Sequence, residues 1–246
     1  MNTDTIAAIS TGMTEAGIGI IRLSGDQALV IANSIFDGKD LTLVDSHTVH
    51  YGHIRSGSEI IDEVLVSVFL APKTYTREDV VEISCHGGMY ITKEVLNAVI
   101  MSGASLAEPG EFTKRAFLNG RIDLSQAEAV IDVINAKSDM ALESSLNQLR
   151  GSVKKRIEKL RKGIIGNIAF IEAALDDPEH IQAEGFGDEL AVQVRGYMAE
   201  LQKMLDSADN GRLVKEGIKT VILGKPNAGK SSLMNVLLGE NRAIVT

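Results

Sequence analysis

The residues with the clearest chemical meaning are Gly224-Lys225-Pro226-Asn227-Ala228-Gly229-Lys230-Ser231, which fit G-x-x-x-x-G-K-[ST]. A chain of this length meets that pattern by accident roughly once in a hundred. Glycines let backbone N–H groups turn toward phosphate oxygens, and a helix opening directly after them adds a dipole that favours negative charge. Lys230 would reach the β- and γ-phosphates, and the Ser231 hydroxyl would bind Mg2+. The flanks suit this: residues 220–223 read as a strand and 232–238 as a helix. A glycine-rich turn without function is the alternative. No Asp-x-x-Gly element for magnesium and no Asn-Lys-x-Asp element for guanine follows before Thr246. A nucleotide domain needs further strands and helices to cover its sheet. The expectation is therefore a truncated chain that does not hydrolyse nucleotide by itself.

A second set of residues is polar where its surroundings are not. Arg22 is the one charge between Gly17 and Gly25, so it must find a partner or an anion. Strand parity sends Val80, Glu82 and Ser84 to one face and Val81, Ile83 and Cys85 to the other. Glu82 would pair with Arg22 or Arg77, or meet a ligand. Arg121 stands where a helical region begins. His47, His50 and His53 could suggest a metal, but on one strand His47 and His53 lie about 20 Å apart and His50 points away. Cys85-His86 could suggest a nucleophile and base, yet neighbouring strand residues diverge, leaving a buried structural thiol. Asp176-Asp177-Pro178-Glu179 reads as a solvated helix end. Arg150, Lys154, Lys155, Arg156, Lys159, Arg161 and Lys162 crowd one segment with only Glu158 among them. They form a solvated face or a contact to a nucleic-acid phosphate backbone.

The elements that must position these residues change character along the chain. Up to about residue 118, short apolar runs at 5–9, 18–23, 49–54, 64–70 and 80–85 predict strands, with helices near 26–35 and 89–101. From about residue 124 the period becomes helical. An apolar stripe from Leu142 to Leu175 predicts one long helix of roughly 50 Å, weakened by Gly151, Gly163 and Gly166. A second stripe from Leu190 to Leu205 should run back against it and end at Asn210-Gly211. The fold expected is an α+β N-terminal domain with a largely antiparallel sheet, then an α-helical domain, then the first strand–P-loop–helix of an incomplete α/β nucleotide-binding domain. The boundaries fall at residues 1–118, 119–216 and 217–246.

Composition narrows the partners. The chain has 246 residues, 44% hydrophobic and 24% charged, which suits a folded protein of more than one core and excludes collagen-like, disordered and disulfide-scaffold classes. One cysteine cannot form an internal disulfide or a multi-thiolate zinc site, and fits a reducing, cytoplasmic compartment. Neither a secretory leader nor a run of ~18 uncharged apolar residues is present, so no membrane role is expected. A net charge of −8 restricts any RNA contact to a local patch, and 4% aromatics without tryptophan disfavours a base-stacking platform.

The loop, continued through Ser232-Leu233-Met234-Asn235, resembles the form found in Era-like GTPases. Upstream segments narrow the likeness: Gly19-Ile20-Ile21-Arg22-Leu23-Ser24-Gly25, Val81-Glu82-Ile83-Ser84-Cys85-His86-Gly87-Gly88, Pro109-Gly110-Glu111-Phe112-Thr113-Lys114-Arg115, and Asp123-Leu124-Ser125-Gln126-Ala127-Glu128-Ala129. Together they are similar to the MnmE (TrmE) family of tRNA-modification GTPases. The resemblance implies a homodimer formed through a folate-binding N-terminal domain, a helical domain and an inserted GTPase domain. It implies work with the flavoprotein MnmG to place an aminomethyl-type group on carbon 5 of a tRNA wobble uridine. The one-carbon donor would be a tetrahydrofolate derivative, 5-formyl or 5,10-methylene. Arg22, Glu82 and Arg121 match the family's folate contacts, and a carboxylate suits the amino-pyrimidine edge of a pterin. Asn227, Ala228, Gly229, Lys230, Ser231, Ser232 and Thr246 match its GTP contacts, with Ser231 on Mg2+ and Asn227 and Thr246 on K+. Two readings of other classes stand beside it: a one-carbon transferase resembling the aminomethyltransferases, and a non-enzymatic dimeric scaffold.

Overall fold

The computed structural model describes residues 4–181, 184–216, 220–226 and 228–239. The chain divides into two compact units, residues 1–135 with 145–163, and residues 136–144 with 164–246.

The first unit is built on a seven-stranded sheet. Its strands are β1 (Ile6–Ile9), β2 (Ile18–Ser24), β3 (Phe36–Asp37), β4 (Thr48–Ser56), β5 (Glu59–Phe69), β6 (Val80–His86) and β7 (Ser105–Leu106), in the order β3-β4-β5-β6-β2-β1-β7. Every pairing is antiparallel except β1 with β7. Alternation fixes which side faces the core. Ile21 and Leu23 of β2, Val64, Val66 and Val68 of β5, and Val81, Ile83 and Cys85 of β6 are all buried. They pack against α1 (Ala28–Ile35), through Ala28, Ile31 and Ala32, and α2 (Met89–Met101), through Val95 and Val99. Arg22, Glu82 and Ser84 therefore take the opposite face of the sheet. The five longer strands and both helices lie where the apolar periodicity puts them.

A third helix, α3 (Glu111–Leu118), was not expected before residue 118. Gly110 takes a left-handed φ of 78° to begin it, and Arg115, 8% exposed, anchors it. The Arg115 guanidinium donates to Glu78, to Glu111 and to the Asp4 carbonyl. α4 (Leu124–Asn135) follows, capped reciprocally: the Gln126 amide donates to the Asp123 carboxylate and the Asp123 amide to the Gln126 side chain.

The predicted single helix over 142–175 is two. α5 (Asp139–Leu149) ends at Gly151, whose φ of 77° is left-handed, and α6 (Ser152–Asp176) starts again after it. Gln126 and Gln148 reinforce the break by donating to the Leu149 and Ser125 carbonyls. Gly163 and Gly166 stay helical within α6. α7 (Phe186–Glu216) likewise passes through Asn210-Gly211, where a stop was expected. A glycine lowers helix propensity by about 1 kcal/mol but ends a helix only where the backbone turns left-handed. In the second unit the rings of Phe170 and Phe186 meet at 4.3 Å. The two apolar stripes are otherwise not mutually buried: Ile168 is 48% exposed and Leu205 64%. The strand expected over 220–223 is also absent; these residues carry no regular structure. Among the described residues no strand lies beside them to complete a ladder.

Ile83 sits at the centre of the sheet, 0% exposed. Its replacement by alanine is expected to destabilise the first unit by about 2–5 kcal/mol, read as a lower urea midpoint at unchanged slope.

Candidate functional site

Register brings the two polar strand residues together. Arg22 on β2 lies directly across from Glu82 on β6. Arg22 Nε and Nη2 both reach Glu82 Oε1 at 2.7 Å, with the side chains 29% and 24% exposed. Both contacts fall on one carboxylate oxygen. Glu82 Oε2 makes no hydrogen bond among the described residues, so an acceptor stays open beside a fixed guanidinium.

Tyr75, in the connection between β5 and β6, supplies the next layer. Its ring lies under the Arg22 guanidinium at 5.5 Å and under that of Arg121 at 4.8 Å. Phe112 of α3 faces Arg22 at 5.7 Å. Such stacking contributes about 0.5–1 kcal/mol each at exposed positions, and it fixes the planes of the groups. Arg121 Nη1 also donates to the Tyr75 carbonyl at 3.1 Å, and the Tyr75 hydroxyl bonds with that of Thr113 at 2.9 Å. Arg77 Nη1 donates to the Asn119 carbonyl, and the Asn119 amide returns a bond to the Thr76 carbonyl. One connection is thus tied to both ends of α3.

A cavity of about 520 Å³ opens over this arrangement, lined among others by His47, Lys73, Tyr75, Arg77, Glu82 and Arg121. Three cations surround a single carboxylate. Such a pocket can accept hydrogen bonds from an N–H edge, cover a flat ring with aromatic and guanidinium surfaces, and attract an anionic tail. Arg22, Glu82 and Arg121, separated by up to 99 residues in sequence, meet around one tyrosine.

Sequence reasoning did not single out Tyr75 or Phe112. The usable signal was scarcity, since the chain has four tyrosines and six phenylalanines. His47 had been weighed only as a metal ligand. It precedes β4 with a left-handed φ of 64°, bonds to Ser46 and meets the Phe69 ring edge-on. His50 bonds to Thr48. Among the described residues no three His, Cys, Asp or Glu side chains gather at one point.

Cys85 is 4% exposed and its thiol donates to the Gly19 carbonyl. Burial pushes that thiol above its ordinary pKa, the opposite of what a nucleophile needs. His86 turns instead to Asp62, 2.7 Å away.

At the nucleotide loop, Gly229 adopts a left-handed φ of 77° and opens α8 (Lys230–Leu238). The helix starts two residues earlier than expected. Lys230 Nζ donates to the Lys225 carbonyl at 2.6 Å, drawing the ammonium back over its own loop. Ala228, Ser231 and Ser232 flank this turn, whereas Asn227 and Thr246 lie outside the described residues.

Two family models match successive parts of the chain: the GTP-binding protein TrmE N-terminus over residues 5–121, and the MnmE helical domain over residues 124–241. The chain belongs to the MnmE (TrmE) family. The tRNA modification GTPase MnmE of Lachnoclostridium phytofermentans is 59% identical across 100% of this chain and 55% of its own length. Its counterpart in Streptococcus thermophilus is 54% identical over 99% of the chain and 54% of its length. That of Bacillus cytotoxicus is 50% identical over 100% and 54%. The chain thus spans about half the length of the curated relatives it matches. The first match takes in Arg22, Glu82 and Arg121, and the second runs through the nucleotide loop. No helix among the described residues is long and apolar enough to cross a membrane.

The Asp62 hydrogen bond raises the His86 pKa above its ordinary value of 6.5. The pairing is therefore fully present below pH 6.5 and is lost as pH rises through the raised value. Histidine NMR titration should place His86 above the exposed reference, and Asp62→Asn should return it to 6.5 or lower.

Proposed function

We propose that this chain serves GTP-dependent tRNA modification in the cytoplasm, acting with the flavoprotein MnmG to add an aminomethyl-type group to carbon 5 of the wobble uridine. Residues 1–118 form a folate-binding and dimerising domain, residues 119–216 the first part of a helical domain, and residues 217–246 the opening of a GTPase domain. The observation that carries the reading is one cavity lined by Glu82, Tyr75 and Arg121, with Arg22 paired to Glu82 and stacked on Tyr75, in a chain of this family.

The donor set fits a reduced folate. Glu82 Oε2 is an open acceptor for a pterin's amino-pyrimidine edge, and Arg22 holds that carboxylate in orientation. Tyr75 offers a flat surface, while Lys73, Arg77 and Arg121 provide charge for a glutamate tail. When bound, the tetrahydrofolate derivative, 5-formyl or 5,10-methylene, supplies the one-carbon unit. The protein's share is to bind, orient and exclude water.

At the loop, Lys230 would exchange its own-chain carbonyl for the phosphates of GTP, and Ser231 would hold Mg2+. The K+ ligands proposed by resemblance are Asn227 and Thr246. A potassium ion there would neutralise charge developing between the phosphates, as an arginine does in related GTPases.

Thermal shift tests the folate reading. At about a hundredfold excess over Kd, 5-formyl-tetrahydrofolate should stabilise the first unit by about 2.7 kcal/mol, several degrees in Tm. Glu82→Gln should weaken binding roughly tenfold or more, because a charge-assisted hydrogen bond contributes about 1.5–3 kcal/mol. Unchanged affinity in a folded Glu82→Gln protein would remove the assignment. GTP with Mg2+ and K+ should show no turnover above buffer in this chain alone. Turnover abolished by Lys230→Ala would overturn that expectation.

A further inference from the structure

The turn before α6 and the first turns of that helix carry a charge pattern that neither the cavity nor the nucleotide loop uses. Seven of the chain's 25 lysines and arginines fall between residues 150 and 162, with Glu158 the one acid. That is a local charge of +6 in a chain of −8, leaving −14 for the remainder. Segregation on this scale carries a like-charge penalty along a helix unless something outside supplies the counter-charge.

The run is sorted around the helix. At 100° per residue, Lys155, Lys159 and Lys162 fall within an arc of about 60°, and successive members rise by about 6 and 4.5 Å. All three are exposed. None makes an ion pair or side-chain hydrogen bond among the described residues. Lys154 differs: its charge acts on Asp123, whose carboxyl, raised by burial, is held low by the Gln126 amide, the Ser125 hydroxyl and Lys154 together.

We infer that Lys155, Lys159 and Lys162 form a contact surface for the phosphate backbone of an RNA duplex. This rests on the tRNA reading above and gives it a location. An anionic lipid surface is the competing polyanion, and the helix is built wrongly for it. Val153, Ile157 and Leu160 centre about 160° from the lysine arc. A helix lying on a bilayer by that apolar side would lift these lysines away from the headgroups. Backbone contacts of this kind carry no sequence information, so the surface orients tRNA and does not select it.

Fluorescence anisotropy with an unmodified tRNA transcript over a salt series is the test. It compares the wild-type chain, a K155E/K159E/K162E variant, and a K39E/K93E/K203E variant with the same change in net charge at exposed scattered sites. Each phosphate contact contributes about 0.7–0.9 to the slope of log affinity against log salt. The clustered variant should lose about 2–3 from that slope and at least tenfold in affinity near 0.1 M salt. The scattered variant should keep nearly all of both. K155Q/K159Q/K162Q should follow the clustered variant in direction, and an unchanged thermal midpoint excludes misfolding as the cause. Equal losses in both reversal sets, or none in the clustered one, overturn the surface while leaving the tRNA reading intact. Wild-type chain that binds no tRNA overturns the surface and withdraws support from that reading as well. Loss of binding to phosphatidylglycerol vesicles with tRNA affinity unchanged would assign the lysines to a membrane surface instead.

Discussion

The cross-strand pair of Arg22 and Glu82 is the contact on which the candidate site depends, and the hydrophobic core decides where it forms. Slipping β2 by one residue against β6 would turn Arg22 toward α1 and α2, away from Glu82, and expose Ile21 and Leu23. No half-buried ion pair could offset that. The pair therefore adds little to choosing the fold. Its contribution is orientation, since it leaves one carboxylate oxygen committed and the other open.

Orientation on a sheet face is of little use without walls, and the walls come from segments distant in sequence. Tyr75 arrives on a connection, Phe112 on α3, and Arg121 on the turn leaving α3. The common tie is Arg115. It joins Glu78 of that connection, Glu111 of the same helix and the Asp4 carbonyl from the start of the chain. A buried guanidinium is tolerable only with such a full set of partners. Arg115 is a positioning residue in this sense: it touches no part of the cavity that holds Glu82, yet it fixes the helix that brings Phe112 to Arg22.

What the sequence disclosed and what it hid follow from the range of the forces involved. The longer strands are legible because a period of two, set by one buried face, is local. The opposite placement of Glu82 and Ile83 follows from the same parity. The role of Tyr75 is not local, because its partners lie 53 residues before it and 46 after it. α3 has only eight residues, too few turns for a period to show, and the side chain that anchors it, Arg115, is charged. Gly151 and Gly211 show the limit most directly. The same residue type breaks one helix and passes through another, because the outcome depends on backbone angle and on neighbours such as Gln126. Residues 220–223 have strand composition, but among the described residues no strand lies beside them, and composition alone makes no ladder.

Charge explains why the proposed chemistries need separate places. A carboxylate with an open oxygen suits an N–H edge and repels phosphate at the same distance, by about 1–4 kcal/mol at 4 Å for effective dielectrics between bulk water and a protein surface. Glu82 therefore makes its cavity a poor place for a triphosphate, although three cations rim it. The nucleotide loop has the opposite design. It presents backbone N–H groups at the start of α8 and an ammonium, Lys230, held on the Lys225 carbonyl until a stronger acceptor replaces it. A carbonyl is a weak competitor for that ammonium, so the switch to a phosphate oxygen is favourable. The exposed lysines of α6 form a third environment, open to solvent and screened by salt, in which a polyanion is held by counterion release and not by a fitted pocket.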